Sequence, residues 1–324
     1  MGRDTPVERL LRRPCRNRAG LATLTPSVVV GTGLRFVTLT YAVATANMML
    51  NTQGGSTMAT VDSGGVEISY EILNPNSDKV PIFFIAGLGG TRGSFINQSP
   101  VFAADRPVVL HDHRGTGESA KPLGVYTVAN MAADIIAIMD DAGIAKAHMV
   151  GTSTGGAIIQ ILCLDHADRV QSAAICCSWP KSDAYFLRQF EMRKRVLAEM
   201  GVEALTLMTT PALNDPKFFT DNYERMVETE RMMIATAPPP DVAAERIDAI
   251  MAHDQIDRLG AIDVPVIVVC AKNDAVTPPY NSVEMAERIP GAELNLYEDG
   301  GHFFFIVHVD RFNADIADFI GRHE

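Results

Sequence analysis

From Val66 onward, short apolar runs alternate with segments whose apolar residues recur at helical spacing. "VEISYEIL" alternates like a half-exposed strand, and "VPIFFIAG" is an apolar run closed by glycine, as a buried strand would be. A helix-compatible stretch near residues 95–103 leads into the strand "PVVLHD". "VANMAADIIAIMDDAGI" then reads as a helix stopping at Gly143, "AHMVG" as a strand, "AIIQILCLDHADRV" as the start of a helix, and "VQSAAICC" as a strand. Such alternation predicts an α/β fold, a mostly parallel sheet flanked by helices on both faces.

The rhythm breaks between residues 178 and 259, where three helical segments and no convincing strand occur. It resumes with the strand "VPVIVVCAKND", the helix "YNSVEMAERI", the strand "AELNLYE" and the helix "VDRFNADIADFIGRH". The expected organisation is a core of residues 58–177 and 260–324 interrupted by a helical cap, residues 178–259, lying over the carboxyl edge of the sheet.

"VGTSTGGAI" marks the point where the strand "AHMVG" turns directly into a helix. So tight a turn forces its apex residue, Ser153, into a strained backbone conformation and leaves no room for neighbouring side chains. Gly151 and Gly155 flank the serine because helix and strand approach closely there, and Gly156 extends that clearance. The serine hydroxyl is thereby exposed at the positive end of a helix. Gly-x-Ser-x-Gly alone is a weak pattern; placed strand–turn–helix it designates Ser153 as a nucleophile.

A serine hydroxyl needs a base, and the base an orienting acid. "VVCAKNDAVTPP" puts Asp274 just past a buried strand, and "LYEDGGHFFF" puts His302 in a loop after the next one. The order Ser153, Asp274, His302 is the one such a fold requires. Of the eight histidines, His111, His113, His148, His166 and His253 lack this placement, His323 is terminal, and His308 belongs to the approach to the last helix. Oxyanion donors are expected from the backbone amides of Thr154 and Leu88, the latter in the side-chain-poor loop "AGLGGTRGS", with Gly87 and Gly89 beside it.

Together these residues resemble the α/β-hydrolase superfamily over residues 66–322. "DHRGTGES" is similar to a structural loop of that superfamily, in which Asp112 and Arg114 tie down a turn. "AGLGG", "DHRGTG", "DAGI" and "SWPKSDAYFLRQFEMR" resemble the branch containing aminoacrylate hydrolase and enol-lactonases. The resemblance implies an eight-stranded sheet with a helical cap insertion and hydrolysis of small esters, lactones, carbamate-like or enamine compounds without metal or cofactor. Two departures change the floor of the pocket. Ala86-Gly87 stands where many relatives have His-Gly, and Thr152 and Thr154 flank the serine where many have His or Met.

The expected reaction is cleavage of a carboxylic ester or lactone through an acyl-enzyme, with an activated amide, an enamine or a carbon–carbon bond as the alternative. The cap holds seven of the fifteen methionines and the only tryptophan. Helix-spaced apolar residues are mainly packing, yet methionines adapt to apolar ligands and caps roof binding sites. Trp179, Phe186, Phe190, Met208 and Tyr223 are therefore candidate contacts for a small-molecule substrate with an apolar or aromatic part. Arg188, Arg193, Lys194 and Arg195 read mostly as a solvated helix face, one of which could reach a substrate carboxylate.

Charge limits the other partners. Residues 1–57 carry seven arginines, no lysine and only Asp4 and Glu8, a balance of +5 within a chain of net charge −11. The acidic remainder has no basic stripe, which argues against nucleic acid and an anionic membrane surface. No stretch approaches the roughly 20 uninterrupted apolar residues of a membrane span. Of the five cysteines, Cys163, Cys176, Cys177 and Cys270 lie in apolar runs and none has metal-ligand spacing, so reduced structural thiols and a cytoplasmic enzyme are expected, a homodimer being one assembly open to it. The arginine-rich leader is expected to be poorly ordered. It leaves export open, with cleavage near Ala46, and equally a start placed too early, ahead of Met58.

Overall fold

The computed structural model describes residues 55–324. Eight strands form one sheet: β1 (Ser56–Asp62), β2 (Glu67–Leu73), β3 (Ile82–Ile85), β4 (Val108–His111), β5 (Ala147–Thr152), β6 (Val170–Cys176), β7 (Val266–Ala271) and β8 (Glu293–Tyr297). Their order is β1-β2-β4-β3-β5-β6-β7-β8. β1 and β2 are antiparallel and β2 joins β4 antiparallel; every pair from β4 to β8 is parallel.

The helices are α1 (Ser99–Ala103), α2 (Val128–Asp141), α3 (Thr154–Asp165), α4 (Ala184–Leu213), α5 (Pro216–Asp221), α6 (Tyr223–Ala235), α7 (Pro240–Met251), α8 (Pro279–Arg288), α9 (Phe304–Val307) and α10 (Val309–Gly321). Strand alternation distributes the core to both faces of the sheet. Phe83, Ile85, Met149, Ala173, Ile175 and Val268 pack with Met131, Ile135 and Ile138 of α2 and Ile158 and Leu162 of α3. Phe84, Leu110, Val150, Ala174 and Val269 pack on the other face with Phe102, Phe304, Phe312 and Phe319. Helix α2 begins where the Thr127 side chain accepts a hydrogen bond from the Asn130 amide.

The helical insertion is α4 to α7. Its two connections meet at a neck, where Lys181 bridges Asp254 and the Gln255 amide donates to the Pro180 carbonyl. Gly201 (φ 85°) breaks α4 into two helices. Helix α4 has 30 residues and reaches a mean hydropathy of 1.2 over 18 of them, but charged residues interrupt it, so it is not an uninterrupted apolar run of the length a membrane span needs. It is broken at Gly201 and hydrogen-bonds to the loop after β7, so it packs on the sheet domain.

Two boundaries differ from the sequence reading. β1 begins at Ser56, so residues 56 and 57, assigned to the leader, pair with Leu73 and Ile72. Residues 1–54, and with them the disorder, export and start-site expectations, lie outside the described residues. The stretch 95–103 is a 3-10 turn, Arg92–Phe95, followed by the short α1 rather than one helix.

Candidate active site

Parallel strands end on the same side, so their registers define one edge. Ile85 pairs with Gly151, Thr152 with Cys176, Cys176 with Val269, and Ala271 with Tyr297. The segments that follow these residues carry Leu88, Ser153, Cys177, Asp274 and His302. Five positions spread over more than 200 residues of chain thus emerge at one sheet edge.

Ser153 follows β5 immediately and has φ 55° and ψ −115°, a strained conformation for a side-chain-bearing residue. The surrounding glycines are required by contact. A Cβ on Gly155 would lie 2.0 Å from the Ile85 carbonyl oxygen, one on Gly151 2.6 Å from the Gly155 carbonyl carbon, and one on Gly156 2.6 Å from the Ser178 Cβ. The Ser153 amide donates to the Cys176 carbonyl (2.8 Å) and its carbonyl accepts from Ser178 Oγ (2.9 Å), which pins the elbow to β6. The Ser153 side chain is half-buried and has no hydrogen-bond partner among the described residues.

Asp274 and His302 meet across 28 positions. His302 Nδ1 lies 2.8 Å from Asp274 Oδ2, and both side chains are buried. Asp274 Oδ1 accepts from the amides of Val276 (2.8 Å) and Thr277 (3.0 Å), and Thr277 Oγ1 lies 2.9 Å from Oδ2. An ionised carboxylate can only accept, so the imidazole donates from Nδ1 and presents the Nε2 lone pair. Nε2 is unpaired among the described residues, so His302 and Ser153 are presented without being joined, as free enzymes often show.

Cys177, which the sequence reading treated only as structural, sits between them. It has φ 41° and is fully buried, its thiol lies beside the Ser153 amide, and burial pushes the thiol's pKa well above its ordinary value. Its sulfur, an Asp274 oxygen and a His302 nitrogen lie within 4.8 Å of one another. That trio resembles a metal-ligand set, but the chain's own donors already surround the carboxylate. Thr277 closes the cluster, its hydroxyl 2.9 Å from the Cys177 carbonyl. No motif in the sequence marked Thr277.

The loop after β3 runs beside the serine. A Cβ on Gly87 would lie 3.3 Å from the Ser153 Cβ. The Gly90 amide donates to the Gly87 carbonyl (2.9 Å) and His113 Nε2 lies 2.9 Å from the Ala86 carbonyl. The amides of Leu88 and Thr154 have no acceptor among the described residues. The Leu88 carbonyl, by contrast, is held by Arg246 of α7, which also binds the Arg114 carbonyl. Asp112 accepts from the amides of Arg92 and Glu118 (both 2.9 Å), and Arg114 pairs with Asp134 (2.5 Å), which ties this turn down.

The helical insertion contacts both loops: the Phe303 amide, beside His302, donates to the Leu213 carbonyl (3.0 Å), and Asn273 Nδ2, beside Asp274, to Asp215 (2.9 Å). The candidate substrate contacts separate into two groups. Trp179, Phe186 and Phe190 form one buried column, with 4.4 Å between successive ring centroids. Met208 and Tyr223 lie exposed on the helical insertion, and Gly89 is exposed in its turn, whereas Gly87 is half-buried.

The chain belongs to the α/β-hydrolase fold family, whose sequence profile matches residues 80–309. It is therefore a hydrolase of this fold, the class that the motifs resembled. A protein of Azorhizobium caulinodans that carries the name carbamate hydrolase RutD is 35% identical over 259 residues, 80% of this chain and 97% of that protein. Its namesake in Caulobacter sp. (strain K31) is 34% identical, covering 80% and 98%. The enol-lactonase from Burkholderia xenovorans LB400 superposes with a TM-score of 0.75 at 24% identity, covering 82% of this chain and 100% of that one. Est816, an N-acyl homoserine lactone degrading enzyme, does so with 0.71 at 26% identity, covering 81% and 100%.

Proposed function

We propose that the protein is a cofactor-independent serine hydrolase that cleaves a carboxylic ester or lactone through an acyl-enzyme. The observation carrying this reading is Ser153 in its left-handed elbow at the end of β5, at the same sheet edge as the His302–Asp274 hydrogen bond. His302 Nε2 takes the serine proton as Oγ attacks the carbonyl carbon. Asp274 holds the imidazole in the useful tautomer and stabilises the cation that forms. The amides of Leu88 and Thr154 receive the oxyanion. His302 then protonates the leaving group, and water, deprotonated by the same nitrogen, releases the acid. Trp179, Phe186 and Phe190 back the acyl or alcohol moiety as an apolar wall.

A second reading, hydrolysis of a carbamate or other activated amide by the same residues, is favoured by the names of the relatives that are 34–35% identical. Short aryl esters, lactones and aryl carbamates offered to the wild type and to Ser153→Ala test both. Turnover of one class that disappears in the variant supports the corresponding reading; turnover that survives it would overturn the serine mechanism.

A further inference from the structure

Four of the described arginines are buried: Arg106, Arg114, Arg193 and Arg246. Three have acceptors within the chain. Arg106 binds the Val80 carbonyl, Asp105 and Glu324; Arg114 binds Asp134 and the Val125 carbonyl; Arg246 binds the carbonyls of Leu88 and Arg114. Arg193 in α4 has none among the described residues, although it is only 9% exposed. Its guanidinium carbon lies 4.4 Å from the ring centroid of Phe190, and beyond that contact only through-space attraction to Tyr185 and Asp274 favours its charged form among the described residues. Burial pulls its pKa down to about 10, which leaves it charged at neutral pH.

The neighbouring cations of α4 do not share this condition. Lys194 pairs with Asp248 and Arg195 with Glu199, while the Arg188 side chain is 83% exposed beside Glu191. Those three form the solvated face; Arg193 does not belong to it. A buried charge with no hydrogen-bonded counter-charge is costly. The missing partner is an anion.

Position says where that anion would come from. Tyr185 Oη donates to the Ala275 carbonyl (2.8 Å) and Gln189 Nε2 to the Val276 carbonyl (3.2 Å), so this face of α4 rides on the loop that carries Asp274. Residues 185, 189 and 193 are successive i, i+4 positions on one face. Arg193 is thus the next residue along from the triad loop, and the Asp274 charge acts on it. The Phe190 ring packs against the guanidinium, and the Phe186–Trp179 column backs that ring. A planar fork held against a ring suits two-point binding of a carboxylate.

We propose that Arg193 recognises a carboxylate of the substrate, so that the ester, lactone or carbamate cleaved at Ser153 is an acid rather than a neutral compound. This rests on the serine-hydrolase reading for the reaction, but the binding of a carboxylate can be read without catalysis.

The test uses the full chain and two matched esters, mono-p-nitrophenyl glutarate and the uncharged p-nitrophenyl valerate. The wild type should prefer the glutarate ester in kcat/KM. Arg193→Gln should lose about 10- to 100-fold more on the glutarate ester than on the valerate ester, chiefly through KM, and Arg193→Lys should recover part of that loss. Equal losses on both esters, or no preference in the wild type, would overturn the proposal. Free glutarate should also raise the melting temperature of the wild type and of Ser153→Ala but not that of Arg193→Gln. A failure of this shift in the wild type sinks the carboxylate site even if Arg193→Gln does not fold. A shift accompanied by Ser153-independent turnover sinks the reaction reading instead.

Discussion

The guanidinium of Arg246, on cap helix α7, donates to the backbone carbonyl of Leu88, in the loop beside Ser153. A peptide unit is planar, so this contact sets the plane of the Gly89 amide and holds Leu88 from its carbonyl side, while the Leu88 amide shares its plane with the Gly87 carbonyl, which accepts from the Gly90 amide (2.9 Å). Arg246 is buried, and its second contact, the Arg114 carbonyl, staples a neighbouring loop to the first. The helical insertion therefore holds the proposed oxyanion loop from behind. Arg246→Met should strand two buried carbonyls, cost about 2–4 kcal/mol of stability and lower kcat about 10-fold or more. Urea unfolding and kcat at saturating ester check both; an intact kcat in a destabilised variant would separate the staple from catalysis.

The proposed triad predicts losses that do not add. Ser153→Ala and His302→Ala should each lower kcat by several powers of ten, and the double variant should be no worse than either single one, because the residues act as a unit. Asp274→Asn should give a comparable loss, of the order of 10⁴, by favouring the wrong imidazole tautomer. Single-turnover kinetics with an aryl ester would report each, and additive losses in the double variant would contradict the shared mechanism.

Two glycines should respond differently to the same methyl group. Gly155→Ala places a Cβ 2.0 Å from a backbone oxygen of β3, where nothing flexible can yield, so the protein should fold poorly or not at all. Gly87→Ala approaches only the Ser153 Cβ closer than ordinary contact, at 3.3 Å, so it should fold with a melting temperature near wild type and lose about 10-fold in kcat by crowding the proposed nucleophile. Circular dichroism and ester turnover distinguish the two.

Acid should destabilise the protein before most carboxylates titrate. His111, His113, His148 and His253 are buried, and burial is the main cause that lowers each pKa: to about 3 for His111, to about 4 for His148 and His253, and well below the ordinary value for His113. Between these values and the unfolded ~6.5, the unfolded chain binds protons that the folded chain refuses. Stability is therefore fully present above pH ~6.5 and falls as pH decreases toward 4, by up to about 1.4 kcal/mol per pH unit for each histidine. Denaturant midpoints at pH 7.5, 6 and 5 check this; a flat profile would mean that these histidines take up protons in the folded state.

The four thiols among the described residues should be silent in the native protein. Cys163, Cys176, Cys177 and Cys270 are buried and free, and burial raises the pKa of each, to about 11 for Cys270 and further for the others. An aromatic disulfide reagent should label them only after denaturant is added; rapid native labelling at Cys177 would show that the site opens to the depth of the triad loop.

Much of the fold was legible because its signals are local. The apolar runs at β3, β5, β6 and β7 and the helical spacing of α2 need no partner to be recognised. β1 escaped: its residues are mostly exposed and it is held by pairing with β2, so it shows no run and little alternation. The elbow was legible for a different reason, since the crowding at Gly151, Gly155 and Gly156 is a steric demand that only small residues meet. Trp179, Phe186 and Phe190 read as aromatic residues of a cap, but not that they stack as a buried column.

By itself the sequence determined the order of strands and helices, the bend at Ser153 and the chain order of serine, acid and histidine, because each follows from neighbouring residues acting on one backbone. Tertiary structure decided which side chains meet at a distance: that Thr277 backs Asp274, that Arg246 holds the Leu88 carbonyl across 158 positions, and that Arg193, alone among the buried arginines of the described residues, has no acceptor among those residues. Those facts depend on which strand ends lie side by side and on where the cap comes down, and no local pattern encodes either.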